Sequence, residues 1–198
     1  NNCYVSAYGW GTAVTQVTTY AMMDRLGIAQ YLSRIGLLID GNTGESLKAA
    51  KQSWMEDPVW QPLRKHCEDS FVVQDWFELF VAQNLVTDGL LYPLVYGRFA
   101  GELSQTGGAV VSMLTEFMDE WYAESVKWVD AFVKTAAAES PENKHLLSQW
   151  VRDRIVSTTE ALAPLAKLMY LEDAQPALDE ARAALLARAA KTGLHVHT

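Results

Sequence analysis

One Glu-x-x-His pair occurs in the chain, at Glu142-Asn143-Lys144-His145. Ligands three residues apart on a helix share a face, about one turn apart. Two such pairs, joined by a Glu from each of two further helices, hold a di-iron centre inside a four-helix bundle. The chain has no second copy of the pair. The existing one follows Ser140-Pro141, a capping residue and a first-turn proline. In that first turn the helix dipole by itself accounts for Glu142.

Three carboxylates, Asp75, Glu78 and Asp88, stand among Trp76, Phe77, Phe80 and Leu85. Buried carboxylates are costly unless paired, and Arg25, Arg34, Arg64 and Arg98 are candidate partners. Buried ion pairs and a partner interface explain these residues at least as well as catalysis does. His195 and His197 form a His-x-His tail that chelates stray metal or simply frays. Gly107-Gly108 has neither the spacing nor the preceding strand of a phosphate loop, and no Gly-x-Ser-x-Gly elbow occurs.

The elements that would position these residues are helices. Glycines at 9, 11, 27 and 36 are the strong breakers before about Ile39, and Gly41 to Gly44 reads as a loop. Thr43 is placed to cap a helix through Trp54. Asp57-Pro58 opens the next, towards Val73, and Asp75 begins another into Arg98, with a kink expected at Pro93. The stretch from 105 to 108 is a break. From Ala109 to Ala138, Val111, Leu114, Met118, Trp121, Ser125, Trp128 and Phe132 step by three and four and form one stripe. Ser140 caps a helix towards Tyr170, and an Ala-rich helix follows Gln175-Pro176 and ends at Gly193. No alternating strand pattern or solenoid repeat competes. The expected fold is an all-α bundle of long helices in one domain over 1–198, with core helices to about 140 and C-terminal helices and a tail over 141–198.

Composition narrows the function. A formal charge of −8 disfavours nucleic acid and anionic membranes. The apolar stretch from Leu79 to Leu94 is interrupted by Asn84 and Asp88, short of the ~20 residues that span a bilayer. Cys3 and Cys67 read as two reduced thiols in a cytoplasmic protein. There is no initiator Met, which fits either the C-terminal part of a longer polypeptide or a processed terminus. The seven tryptophans divide between core and subunit contact in proportions that sequence leaves open.

Three segments carry a family resemblance: 4–39 (YVSAYGWGTAVTQVTTYAMMDRLGIAQYLSRIGLLI), 54–96 (WMEDPVWQPLRKHCEDSFVVQDWFELFVAQNLVTDGLLYPLVY) and 110–140. In order and spacing they resemble the hydroxylase β subunit of bacterial multicomponent monooxygenases, nearest to the phenol hydroxylase branch. The resemblance extends from Asn1 to about Ser140 and is loose beyond Trp150. It implies a ferritin-like, ribonucleotide-reductase-like bundle partnered by α and γ subunits in a dimer of αβγ. It places the O2-activating di-iron centre in α, and FAD with an iron–sulfur cluster in an NADH reductase; an effector protein tunes the reaction. No cofactor is then expected on this chain. Where a metal-bearing sibling reads Glu-x-x-His, the match places Asp24-Arg25-Leu26-Gly27 and Glu116-Phe117-Met118-Asp119. Asp24, Gly27, Glu116 and Asp119 are the degenerate ligand positions, and none offers an imidazole.

The leading expectation is a non-catalytic scaffold for a di-iron subunit that hydroxylates phenol-type aromatics. The alternatives are a self-sufficient ferritin-like di-metal oxidoreductase or metal-binding protein, and a helical adaptor unrelated to oxygenases.

Overall fold

The computed structural model describes residues 1–105 and 108–196, and among them no strand occurs. Eight helices follow in order: α1 (Asn2–Tyr8), α2 (Thr12–Ile39), α3 (Glu45–Glu56), α4 (Gln61–Ser70), α5 (76–105), α6 (Ala109–Glu139), α7 (Pro141–Tyr170) and α8 (Ala174–Lys191). The all-α bundle expected from the sequence is present. Thr106, Gly107 and His197 lie outside the described residues.

The glycines in the N-terminal third act differently from one another. Gly11, at φ +95°, occupies backbone that L side chains rarely adopt, and α1 stops short of α2 there. Gly36 does not break α2. Instead it lets α3 approach: Ser46 Oγ donates to the Gly36 carbonyl at 2.8 Å, and a Cβ on Gly36 would meet Leu47 Cδ2 at 2.9 Å.

Two helix starts differ from expectation. Thr43 is not the main cap of α3. The Asp40 carboxylate accepts from Thr43 N at 3.0 Å and Ser46 N at 2.9 Å, because three backbone donors converge on the α2–α3 turn and a carboxylate serves more of them than a hydroxyl. Those bonds hold the Asp40 carboxyl below its ordinary pKa. Asp57-Pro58 forms a turn, with Asp57 Oδ1 accepting from Val59 N at 2.9 Å, and α4 starts only at Gln61 and ends at Ser70. The caps at Asp75 and Ser140 are as read: Asp75 accepts from Phe77 N and Glu78 N, and Ser140 from Asn143 N.

Helix α5 is the axis of the core. It alternates α-helical turns with two π-helical stretches, Val81–Thr87 and Pro93–Phe99. Pro93 opens the second of these, where a wider turn absorbs its missing donor. Tyr170 donates to the Leu94 carbonyl in the same stretch. Leu79, Phe80, Val81, Leu85, Val86, Leu90 and Leu94 are all buried. Around Phe80 the rings of Phe77, Trp128 and Phe132 pack at centroid distances of 5.4, 5.9 and 6.0 Å.

On α6 the buried line runs through Thr115, Met118, Ser125, Val129, Val133 and Ala137. It is rotated about one residue from the predicted stripe, and Val111 is exposed. Trp121, Trp128 and Phe132 flank that line because bulky rings cover a groove from its side and seldom vanish entirely. On α7, Leu147, Val151, Ile155, Thr158, Leu162 and Leu165 face the core. No helix among the described residues is long and apolar enough to cross a membrane. Truncating the fully buried Phe80 to alanine is expected to destabilise by about 3–5 kcal/mol, read from denaturant melts of wild type and F80A.

Candidate functional site

A polar seam interrupts the core face of α5. Gln83, Asn84, Thr87 and Asp88 repeat at the one-turn interval and so lie on one side of the helix. Asp88 is 2 % exposed. Arg25 of α2 donates Nη2 to Asp88 Oδ2 and, at 3.4 Å, to Asn84 Oδ1. Gln83 Nε2 donates to the other oxygen, Asp88 Oδ1, at 3.1 Å. Both carboxylate oxygens are therefore engaged. Burial pulls the Arg25 pKa down, but Asp88, Tyr92 and Asp24 together raise it above its ordinary value, and the guanidinium stays charged. Its Cζ also lies 5.4 Å from the Trp121 ring centroid.

The amides beside this pair are matched reciprocally. Asn2 Nδ2 donates to Asn84 Oδ1 at 3.1 Å and Asn84 Nδ2 returns to Asn2 Oδ1 at 2.9 Å. Asn1 Nδ2 reaches Gln83 Oε1 and Ser70 Oγ. This tethers α1 to α4 and α5. Burial, and then Asp88, raise the Tyr92 hydroxyl pKa well above its ordinary value.

A second ion pair closes the far side. Arg154 of α7 donates to Glu78 Oε1 at 2.5 Å. Between the two pairs, His66 of α4 sits 3.1 Å from Thr87 Oγ1 and 3.5 Å from Thr158 Oγ1. Burial, then the Arg154 charge, lower its pKa from the ordinary 6.5. A narrow cavity of about 170 Å³ lies here, lined among others by Arg25, His66, Cys67, Asp88, Tyr92 and Arg154. Arg25 and Arg154, which line it, are each paired with a carboxylate of α5.

The expected positions sit elsewhere. Asp24 is exposed and accepts from Trp121 Nε1 at 2.9 Å; Gly27 faces open space. Glu116 and Asp119 are exposed on α6, with Asp119 Oδ1 3.8 Å from where a Gly97 Cβ would stand. Among the described residues no hydrogen bond or ion pair joins any two of Asp24, Glu116 and Asp119. Glu142 and His145 are exposed at the start of α7. Cys3 and Cys67 are free thiols.

Of the four arginines proposed as partners for interior carboxylates, Arg25 fills that role. Arg34 is exposed, Arg64 pairs with Glu68, and Arg98 with Glu102 and Glu180. The partner of Glu78 is Arg154, which the sequence reading missed. The signal was available: Arg154 falls on the stripe of Leu147, Val151 and Thr158, where a charge requires a partner.

A carboxylate-bridged di-iron centre needs uncommitted carboxylates and two imidazoles converging on one point. Among the described residues no three His, Cys, Asp or Glu side chains gather in that way. At the seam the Asp88 carboxylate is already paired with a permanent cation, Arg25. Among the described residues the donor set does not fit the centre.

The family model for methane/phenol/alkene hydroxylases matches residues 1–140. The chain belongs to this family. It is 52 % identical over 196 residues to the phenol 2-monooxygenase oxygenase component DmpL of Pseudomonas sp. (strain CF600), covering 98 % of this chain and 58 % of the relative. The hydroxylase component subunit beta of the toluene-4-monooxygenase system of Ectopseudomonas mendocina is 25 % identical over 101 residues, 51 % of this chain and 31 % of that one. Among solved structures, the xenon-pressurized crystal structure of phenol hydroxylase from Pseudomonas sp. OX1 superposes with a TM-score of 0.93 at 46 % identity, covering 98 % of this chain and 58 % of that one. This hydroxylase-family chain thus spans less than two thirds of DmpL and of the matched phenol hydroxylase chain.

Removing Arg25 alone strands Asp88, so R25A is expected to destabilise by about 3 kcal/mol. The double change Arg25→Met with Asp88→Leu is expected to lose less, as a double-mutant cycle on chemical denaturation will show. His66 has a depressed folded-state pKa, so below pH 6.5 the unfolded state takes up the proton first. Stability is then expected to fall as pH drops through that value and to level off below the folded pKa; His66→Gln flattens that slope in pH-dependent melts.

Proposed function

We propose that this chain forms part of the non-catalytic β subunit of the hydroxylase component in a phenol-type multicomponent monooxygenase. The observation that carries this reading is the Arg25–Asp88 pair: the fold is that of a phenol hydroxylase, and its interior carboxylate is neutralised by a side chain. In this reading the di-iron centre belongs to the α subunit, and α, β and γ assemble as a dimer of αβγ. An effector protein and an NADH reductase carrying FAD and an iron–sulfur cluster serve the complex in the cytoplasm. Phenol-type aromatics are hydroxylated at α with O2, and this chain performs no chemical step.

Its contribution is to hold surface for the assembly. Tyr20, Met23 and Leu26 on α2 are 61, 57 and 61 % exposed and recur at the one-turn interval, and Val110 and Met113 on α6 are comparably open. Large apolar side chains repeated along one side of a helix support a subunit contact over a solvated surface.

The complete natural polypeptide of this chain, produced alone, is expected to be aggregation-prone or to melt below the assembled hydroxylase, and to bind no stoichiometric iron. Co-expression with its α and γ partners is expected to give a soluble complex whose iron is retained when this subunit is dissociated from it. Elemental analysis and size-exclusion chromatography read both. Stoichiometric iron on the chain alone, or a monodisperse chain melting cooperatively like the complex, contradicts the scaffold reading and favours a self-sufficient metalloprotein.

A further inference from the structure

The open cavity of about 490 Å³ where the α1–α2 turn, α2, α5, α6 and α7 meet has aromatic and acidic walls. Three tryptophans line it, Trp10, Trp76 and Trp150, along with Phe132 and aliphatic side chains, and two carboxylates, Asp75 and Glu139, lie in its wall. Among the described residues that line it, none is basic. Trp10 follows the short α1 and is 83 % exposed, which is costly for the largest apolar side chain unless something covers it.

We infer that this cavity is a binding site for a cationic side chain, arginine or lysine, on a basic segment of a partner polypeptide. An indole face attracts a guanidinium or ammonium more strongly than other aromatic faces do. The aliphatic stem of such a side chain packs on apolar walls while its head stays polar. The two carboxylates supply the complementary charge. The Asp75 carboxylate accepts from two backbone N–H groups of α5, and Glu139 accepts from Asn143 Nδ2 at 3.2 Å, so each is oriented before a ligand arrives and keeps acceptor capacity for a cation. An apolar helix or a second copy of this chain, itself carrying −8, matches this lining less well than a basic segment does. The assignment does not depend on the proposed oxygenase role.

The test uses the complete natural polypeptide, alone or in its complex, and two small probes of nearly equal shape. N-acetyl-arginine amide and N-acetyl-citrulline amide differ in charge and little else. Each is titrated while the indole N–H resonances of Trp10, Trp76 and Trp150 are followed by NMR, assigned through single Trp→Phe variants. Arginine amide is expected to shift those three resonances with at least about fivefold tighter apparent binding than citrulline amide. Glu139→Gln, which keeps the shape and the Asn143 contact, is expected to narrow that gap to about twofold or less. Equal response to both probes, absence of any shift, or shifts that track protein concentration in place of probe would each overturn the assignment; the last would identify a second copy as the occupant.

Discussion

A single charge pair governs the interior. Asp88 is buried on the central helix, and taking a carboxylate out of water carries a penalty of several kcal/mol that only a matched cation with full hydrogen bonding offsets. Arg25 provides the cation from α2, Gln83 the remaining donor, and Trp121 a ring to stack on. To satisfy one carboxylate the chain must bring α2, α5 and α6 together in one register. Asn2 and Asn84 extend that requirement to α1, and Glu78 with Arg154 extends it to α7. Buried polar networks of this kind add little net stability. Their effect is to exclude other packings of long helices that would satisfy apolar burial equally well.

The same pair neutralises the Asp88 carboxylate from within the chain. The π-helical stretches of α5 flank this point on both sides, and the second one begins at Pro93. They set the phase of the helix so that Gln83, Asn84, Thr87 and Asp88 share the inner side while Leu85, Leu90 and Leu94 remain buried.

Much of the architecture was legible in the sequence, because long amphipathic periods and strong caps are local signals. The caps at Asp75 and Ser140, the extent of α6 and α7 and the all-α class followed from them. The starts of α3 and α4 did not, since several acceptors compete near each turn and only the folded chain shows that Asp40 prevails over Thr43. The phase of α6 was read one residue off because tryptophan signals a boundary as often as a centre. The need of Asp88 for a partner, with Arg25 as a candidate, is legible in the sequence. The place of Arg154 among apolar positions of α7 carries the same kind of signal. The proposed remnants of a metal site, Asp24, Gly27, Glu116 and Asp119, came from family likeness, and their exposure in this chain is a three-dimensional property that spacing does not encode.

The interior depends on Arg25 pairing directly with the buried Asp88. Anomalous diffraction at the iron edge, on crystals of the assembled hydroxylase, tests it most directly. The predicted result is an iron peak confined to another subunit, with continuous guanidinium density from Arg25 on Asp88. An iron peak within bonding distance of Asp88, Asp24, Glu116 or Asp119 would contradict it.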